Sequence, residues 1–320
     1  MFAVHAYKSS SDDMNTLILM TQFLSVITFK KNNPNIPFKL YTDTKTLTIY
    51  NRFGISGIYD EINTEVLDEY PSDRISENFW ASPKLWVMKH ITDPFIMMDT
   101  DLIWHDVVDD YLSYDLVYLH QEPGTSYPYP NRLSYPDGFD WNDGLLDSFG
   151  QSQPINCALC VWNNLDFMKN YVDVYFEFVL DNPGTMNLMD GDMRFIHESG
   201  VQITSEQWLL GACEYYWDSN VSKLNTHSLL NILAFPDVLK PYNPNEPREV
   251  AMQSLNEHIF HLWGAKSYFD KGDYEGHIQV CDDLTSAISS HVASNPHNNL
   301  YRVIRDTLVE SLPEIPKSNN

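Results

Sequence analysis

Positive charge is scarce in this chain of 320 residues. Its 20 lysines and arginines stand against 44 aspartates and glutamates, a net charge of −24. A nucleic-acid backbone is therefore a poor partner, because no basic stripe is present to release its counterions. An anionic membrane surface is equally poor, although a locally positive site would still admit an anionic substrate. Cysteine is scarce as well: Cys157, Cys160, Cys213 and Cys281 are too few for a disulfide scaffold at this length. Cys157-x-x-Cys160 has the spacing of a metal or redox pair, but no second pair matches it, and both lie in the apolar run 155–162. Buried free thiols are the expectation there. No apolar segment reaches membrane length and no N-terminal signal region is seen. A soluble, cytoplasmic protein is expected.

What the chain does have is 43% apolar residues, enough for a large core in one large or two small domains. Its organising stretch is Pro94-Phe95-Ile96-Met97-Met98-Asp99-Thr100-Asp101-Leu102-Ile103-Trp104. A short apolar run of this kind reads as a buried strand. Two carboxylates follow, two residues apart. On an extended chain such residues point to one side, so Asp99 and Asp101 are expected to face one point past the strand's end. Ligands of open α/β sheets sit there. A divalent cation held through oxygens, Mn²⁺ or Mg²⁺, would offset the repulsion between the two acids and bridge them to phosphates. The plainer alternative is a strand followed by an acidic turn.

Read in order, residues 2–7 form a first strand that ends at Tyr7 and a polar loop within reach of a nucleotide. Asp12 or Asp13 is expected to cap a helix running through Met14, Leu17, Ile18, Phe23 and Ile27, stopped by Asn32-Asn33-Pro34. A strand over 38–43, a helix near 46–53 and a short strand around Ile58-Tyr59 come next. Ser82-Pro83 opens a helix, with serine as cap and proline at the first helical position, and Lys84 lies on it as a candidate phosphate contact. Residues 114–120 read as a strand. The segment 121–153 is rich in Tyr, Pro, Gly and Asp, a loop long enough to be functional, with aromatic faces suited to sugar rings. A strand over 155–162 would bury Asn156, which then needs hydrogen-bond partners. Residues 164–180 are helical, 201–204 strand-like, and Ser205 caps a helix with Glu206 and Gln207 in its first turn. A strand over 229–235 and a turn-rich linker over 243–247 precede the alternating segment His258-Ile259-Phe260-His261-Leu262-Trp263-Gly264-Ala265-Lys266. Two amphipathic helices, 284–292 and 300–312, close the chain. Strands alternating with helices predict an α/β fold with a mixed, mostly parallel sheet flanked by helices and a C-terminal helical extension.

Taken in order, Lys84, Asp99-Thr100-Asp101, Asn156, Glu206-Gln207 and His261-x-x-Gly264-x-Lys266 resemble the motifs of a GT-A-type glycosyltransferase. Family 8, the glycogenin and bacterial galactosyltransferase group, is the nearest pattern. The resemblance covers roughly residues 1–270 and implies a Rossmann-like GT-A domain over 1–275, with a nucleotide-binding half at 1–120, an acceptor half at 121–275 and helices at 276–320. It implies a hexosyltransferase that moves a sugar from a nucleoside diphosphate sugar, a UDP-sugar first among them, to a sugar, glycan or protein hydroxyl with retention of configuration. It implies Mn²⁺ (or Mg²⁺) on Asp99, Asp101 and His261. Donor contacts would come from Tyr7, Lys84, Asp99, Asn156, Gly264 and Lys266, and Glu206 and Gln207 would sit by the reacting carbon. The chain departs from the family pattern in Cys157-Ala158-Leu159, in Glu206 for Asp, in a lysine one residue early, and in lacking the Pro-Trp after it. Two other readings stay open: a phosphatase with an aspartate nucleophile, and a nucleotide-sugar-binding module without catalysis.

Overall fold

Residues 1–9, 15–75, 79–122, 148, 151–181, 204–229, 259–261 and 274–312 are described in the computed structural model of the chain. β1 (Phe2–Ala6) leads to α1 (Thr16–Asn32). The cap of α1 is Asn15, whose side chain accepts from the Leu17 amide at 2.9 Å. The helix thus starts later than a cap at Asp12 or Asp13 would have it, and those acids and Met14 lie outside the described residues. It ends at the expected place, with Lys30 and Lys31 in the last turn, where the helix dipole favours them. β2 (Phe38–Tyr41) precedes α2 (Thr44–Phe53). Asp43 caps α2 by accepting from the Thr46 amide at 2.8 Å, and Gly54, at φ 73°, takes the left-handed turn that ends it.

The strand expected at Ile58-Tyr59 is a correction: Ile55–Ile58 is a 3₁₀ turn, and β3 (Glu61–Asn63) follows it. Ile58 and Tyr59 supply the buried apolar signal, whereas β3 is polar and part-exposed. After the short α3 (Glu65–Asp68) comes α4 (Ser82–His90). Ser82 does not cap it. Its Oγ lies 2.5 Å from the Tyr175 hydroxyl, and Ala81 holds the cap position without a side-chain bond. Pro83 still occupies the first turn, where its missing N–H costs nothing.

β4 (Phe95–Met98) and β5 (Leu102–Trp104) flank the acid pair, and all seven of their residues are buried. Each such side chain is worth roughly 1.5–3 kcal/mol over leaving it in water. β6 (Leu116–Tyr118) and β7 (Leu159–Trp162) are shorter than their apolar runs. Ile155 makes only an isolated bridge to Gln121, so Asn156 lies on a turn before β7 and not on a strand. α5 (Leu165–Phe176), capped by Asn164, runs on into a π turn over Glu177–Asp181. A second π turn, Thr204–Trp208, opens α6 (Leu209–Asn220). β8 (Thr226–Ser228), β9 (Ile259–His261), α7 (Tyr274–Ala293) and α8 (Asn299–Glu310) complete the order. Of the other expected elements, 201–203, 230–235 and 243–247 lie outside the described residues, as do His258 and nearly all of the 121–153 loop.

The chain divides into two compact units. One holds 2–64, 98–110 and 235–320; the other holds Met1, 65–97 and 111–234. In the first unit the strand order is β3-β2-β1, all parallel, with Ala3 opposite Phe38 and Lys39 opposite Glu61. β5 and β9 form a separate antiparallel pair there. α1 is buried along most of its length, between β5 and α7. In the second unit the order is β4-β7-β6-β8, with β6 antiparallel to β7 and parallel to β8. α5 packs against α4 and α6. Within the two runs β1–β2, β2–β3 and β6–β8 are parallel and β6–β7 is antiparallel, the mixed, mostly parallel arrangement that the alternation predicts.

Candidate active site

The expected site residues fall into two groups, one in each unit. In the first unit, β5 starts just after Asp99-Thr100-Asp101. The three residues form a turn, closed by the Leu102 amide donating to the Asp99 carbonyl at 3.1 Å. The acids thus sit on a turn and not on an extended chain. Asp101 is 1% exposed, Thr100 is buried, and Asp99 is half-buried. β9 pairs with β5 so that His261 stands opposite Leu102, one residue from Asp101. Backbone register alone brings His261 and the acid pair together. The described side chains hold no group of three His, Cys, Asp or Glu placed for a metal ion, and the side chain of His261 is not among them. Gly264 and Lys266 lie outside the described residues.

Behind the acids the same unit carries a buried polar chain. His5 Nδ1 lies 2.9 Å from the Tyr59 hydroxyl, Gln22 Nε2 donates to that hydroxyl at 2.7 Å, and the Tyr50 hydroxyl donates to Gln22 Oε1 at 2.8 Å. Tyr7 stacks on Tyr50, with ring centroids 6.5 Å apart. Burial pushes the His5 imidazole down to about 3, against the pull of the Asp99 and Asp101 charges. His5 is therefore neutral at pH 7 and leaves the acid charge uncompensated from its side. Beside Tyr7, Lys8 pairs with Asp43 at 2.9 Å. Burial alone would raise the Asp43 carboxyl, but hydrogen bonds from Thr46 and Lys8 outweigh it and hold the group below its ordinary value.

In the second unit, Lys84 and Glu206 meet. Lys84 Nζ lies 2.5 Å from Glu206 Oε1, with side chains 12% and 3% exposed. The lysine also donates to the Cys157 carbonyl at 3.2 Å. The Tyr171 hydroxyl donates to the Glu206 carbonyl at 3.0 Å, and the Ile155 amide donates to the Gln207 carbonyl at 2.9 Å. These bonds hold the π turn against α5 and the segment before β7. Cys157 and Cys160 are buried free thiols, as their apolar run suggested, and so is Cys213. Burial drives the Cys157 thiol up, and contact with Cys160 and the Glu206 charge add to it.

Asn156 finds the partners that its burial requires. Its Oδ1 accepts from the Ala158 amide at 3.0 Å, and its Nδ2 donates to Glu122 Oε1 at 3.2 Å. Glu122 Oε1 also lies 2.8 Å from His120 Nε2. The His120–Glu122–Asn156 cluster has no sequence signature beyond the alternation of His120 and Glu122, and neither does the Lys8–Asp43 pair.

A model of a family of unknown function, DUF6734, matches residues 13–233. No curated protein matches the chain. Several solved glycosyltransferases are similar to it. The galactosyltransferase LgtC, in complex with donor and acceptor sugar analogues, is 12% identical with a TM-score of 0.41, over 89% of this chain and 96% of that one. The glycosyltransferase PaToxG is 11% identical with a TM-score of 0.37, over 95% and 85%. The glycosyltransferase GlyE of Streptococcus pneumoniae TIGR4 is 10% identical with a TM-score of 0.38, over 92% and 63%. The family model spans more than half of the sequence, and the chain belongs to the DUF6734 family.

Proposed function

We propose that the chain is a divalent-metal-dependent glycosyltransferase of the GT-A type, close to family 8, which moves a sugar from a nucleoside diphosphate sugar to an acceptor hydroxyl with retention. A UDP-sugar is the first donor to test. The observation that carries this reading is the Asp99-Thr100-Asp101 turn between two buried strands, with His261 in register opposite Leu102. Two carboxylates and an imidazole offer hard oxygen donors and one nitrogen donor. That set fits Mn²⁺ better than Mg²⁺, which favours oxygen alone.

In this reading Asp101 and His261 would hold the ion, and Asp99 would ligate it or bind the ribose. When bound, the ion supplies Lewis-acid neutralisation of the leaving diphosphate. Tyr7, supported by Tyr50, receives the nucleoside. The resemblance would give Lys266 and Lys84 the role of fixed positive charge toward the diphosphate, against the net charge of −24. Gly264 would let the backbone approach the phosphate closely, as a glycine has no Cβ. Asn156 orients the donor sugar with its amide. Glu206 and Gln207 flank the reacting carbon, where a carboxylate stabilises oxocarbenium-like charge. Lys84 and Glu206 form a nearly buried ion pair, which holds the Glu206 side chain in place.

The test is product analysis. The chain is incubated with Mn²⁺ and each common nucleoside diphosphate sugar, with and without acceptor sugars, and free nucleoside diphosphate is measured. A parallel arm supplies p-nitrophenyl phosphate. Metal-dependent release of UDP from one UDP-sugar supports the transferase. Turnover of the phosphate ester without any nucleotide sugar supports an aspartate-nucleophile phosphatase instead.

A further inference from the structure

The second unit contains a cleft of about 430 Å³ that none of the described expected site residues lines. Its walls are the outer face of α6, the segment 151–153 and the residues leading into β8. The cleft depends on one glycine. A Cβ on Gly211 would stand 1.9 Å from the Gln153 carbonyl oxygen, so only glycine lets the 151–153 backbone lie against α6. That backbone is further fixed by the Gln151 and Ser152 amides, which donate to the Ser148 carbonyl at 3.1 and 2.9 Å. On the far side Asp218 accepts from the Leu224 amide at 2.8 Å, which sets the opposite rim.

The described residues that line this space are mostly polar. Gln121, Gln151 and Gln153 offer amides that both donate and accept. Glu214 and Asp218 offer carboxylates, and Tyr215, 43% exposed, offers an aromatic face. Among the described lining residues Lys223 is the single cation beside Glu214 and Asp218, a balance that disfavours phosphates. The volume lies within the range of ligand sites, about 300–1,000 Å³, and is far larger than an ion needs. A hard cation would want six to eight oxygens at about 2.3–2.6 Å, and here two carboxylates are spread along a helix among amides. Burial and the neighbouring Asp218 push the Glu214 carboxyl up. Hydroxyl donors from a ligand would relieve that cost.

We propose that this cleft binds a neutral, hydroxyl-rich ligand of the oligosaccharide class. Its amides and carboxylates take the hydroxyls, and Tyr215 stacks on a sugar ring. The cleft needs neither nucleotide nor metal ion, so the proposal stands or falls independently of the transferase reading.

The experiment titrates the full chain, free of nucleotide and divalent ions, with maltose-, cellobiose- and lactose-series di- and trisaccharides by calorimetry. Tyr215→Ala and Gln151→Ala are titrated beside it, with Asp101→Asn as the control outside the cleft. The expected result is binding by at least one series, weakened at least about fivefold by each of the two cleft variants and unchanged by Asp101→Asn. Three results overturn the proposal. One is no binding by any series up to about 10 mM. Another is binding that Asp101→Asn removes and the cleft variants leave intact. The third is competition of sugar binding by inorganic phosphate, which would show an anion site.

Discussion

The two groups of expected site residues handle charge in opposite ways. In the second unit Lys84 and Glu206 are both nearly buried and answer each other at 2.5 Å. In the first unit two acids of like sign share one turn, Asp101 is 1% exposed, and the buried histidine behind them is neutral. The first arrangement is close to internally balanced. The second sets two like charges side by side, and in the proposed reading a divalent cation would offset them. The contrast teaches that a buried charge has to be read together with what offsets it. An ion pair such as Lys84–Glu206 is weak evidence for stability, because desolvation cancels much of the attraction.

The largest effect expected from breaking this contrast is at Asp101. Asp101→Asn removes one of the two like charges, and divalent-dependent UDP binding should vanish while the melting curve stays cooperative. Calorimetry with UDP and Mn²⁺ checks it, and a variant that binds as tightly as wild type would remove the acid turn from the metal account. On the other side of the comparison, Lys84→Met strands Glu206 in a dry site. Denaturant unfolding should show a loss of about 3–5 kcal/mol, partly restored in the double variant Lys84→Met/Glu206→Gln. Equal loss in the single and double variants would mean that the lysine acts through packing alone.

The third effect is acid sensitivity. The folded value of His5 lies below its unfolded value of 6.5, at about 3. The unfolded chain therefore binds the proton first, and the stability held above pH 6.5 is lost as pH falls from there toward 3. Between pH 7 and pH 4 the loss from His5 amounts to about 3 kcal/mol. His291, lowered to about 4 by burial and by the Lys31 and His105 charges, acts in the same direction. His5→Gln should flatten the profile of stability against pH in this window, and an unchanged slope would assign the sensitivity elsewhere. The smallest effect is at His261, the proposed third ligand. His261→Ala should raise the Mn²⁺ requirement about tenfold, or ~1.4 kcal/mol, and His258→Ala should do little. The reverse pattern would move the ligand to His258.

Much of the fold was legible because apolar runs carry it. Phe95-Ile96-Met97-Met98 and Leu159-Cys160-Val161-Trp162 could hardly be anything but buried strands, and the amphipathic C-terminal segments became α7 and α8. Polar elements were less legible. β3 carries Glu61 and Asn63 at the outer end of its strand run, where side chains need not be apolar, so the apolar Ile58-Tyr59 drew the strand assignment away. Capping was misplaced where several residues could serve, at Asp12 or Asp13 for Asn15 and at Ser82 for α4. The acid pair was legible as a pair, but its turn geometry was not. Alternation describes extended chains, and a chain that turns between two strands escapes it. Pairings between distant residues, such as Lys84 with Glu206, Lys8 with Asp43 and Asn156 with Glu122, leave no mark on local spacing.

The most direct measurement of the central claim is a thermal-shift screen of UDP, GDP, ADP, CDP and TDP against the wild-type chain, with and without Mn²⁺. A ligand that binds only the folded state raises stability by RT ln(1 + [L]/Kd), about 2.7 kcal/mol at a hundredfold excess over Kd. The account predicts a rise in melting temperature with one nucleoside diphosphate, UDP first, that appears only when Mn²⁺ is present. Shifts of equal size with Mn²⁺ absent, or none with any nucleotide, would contradict it.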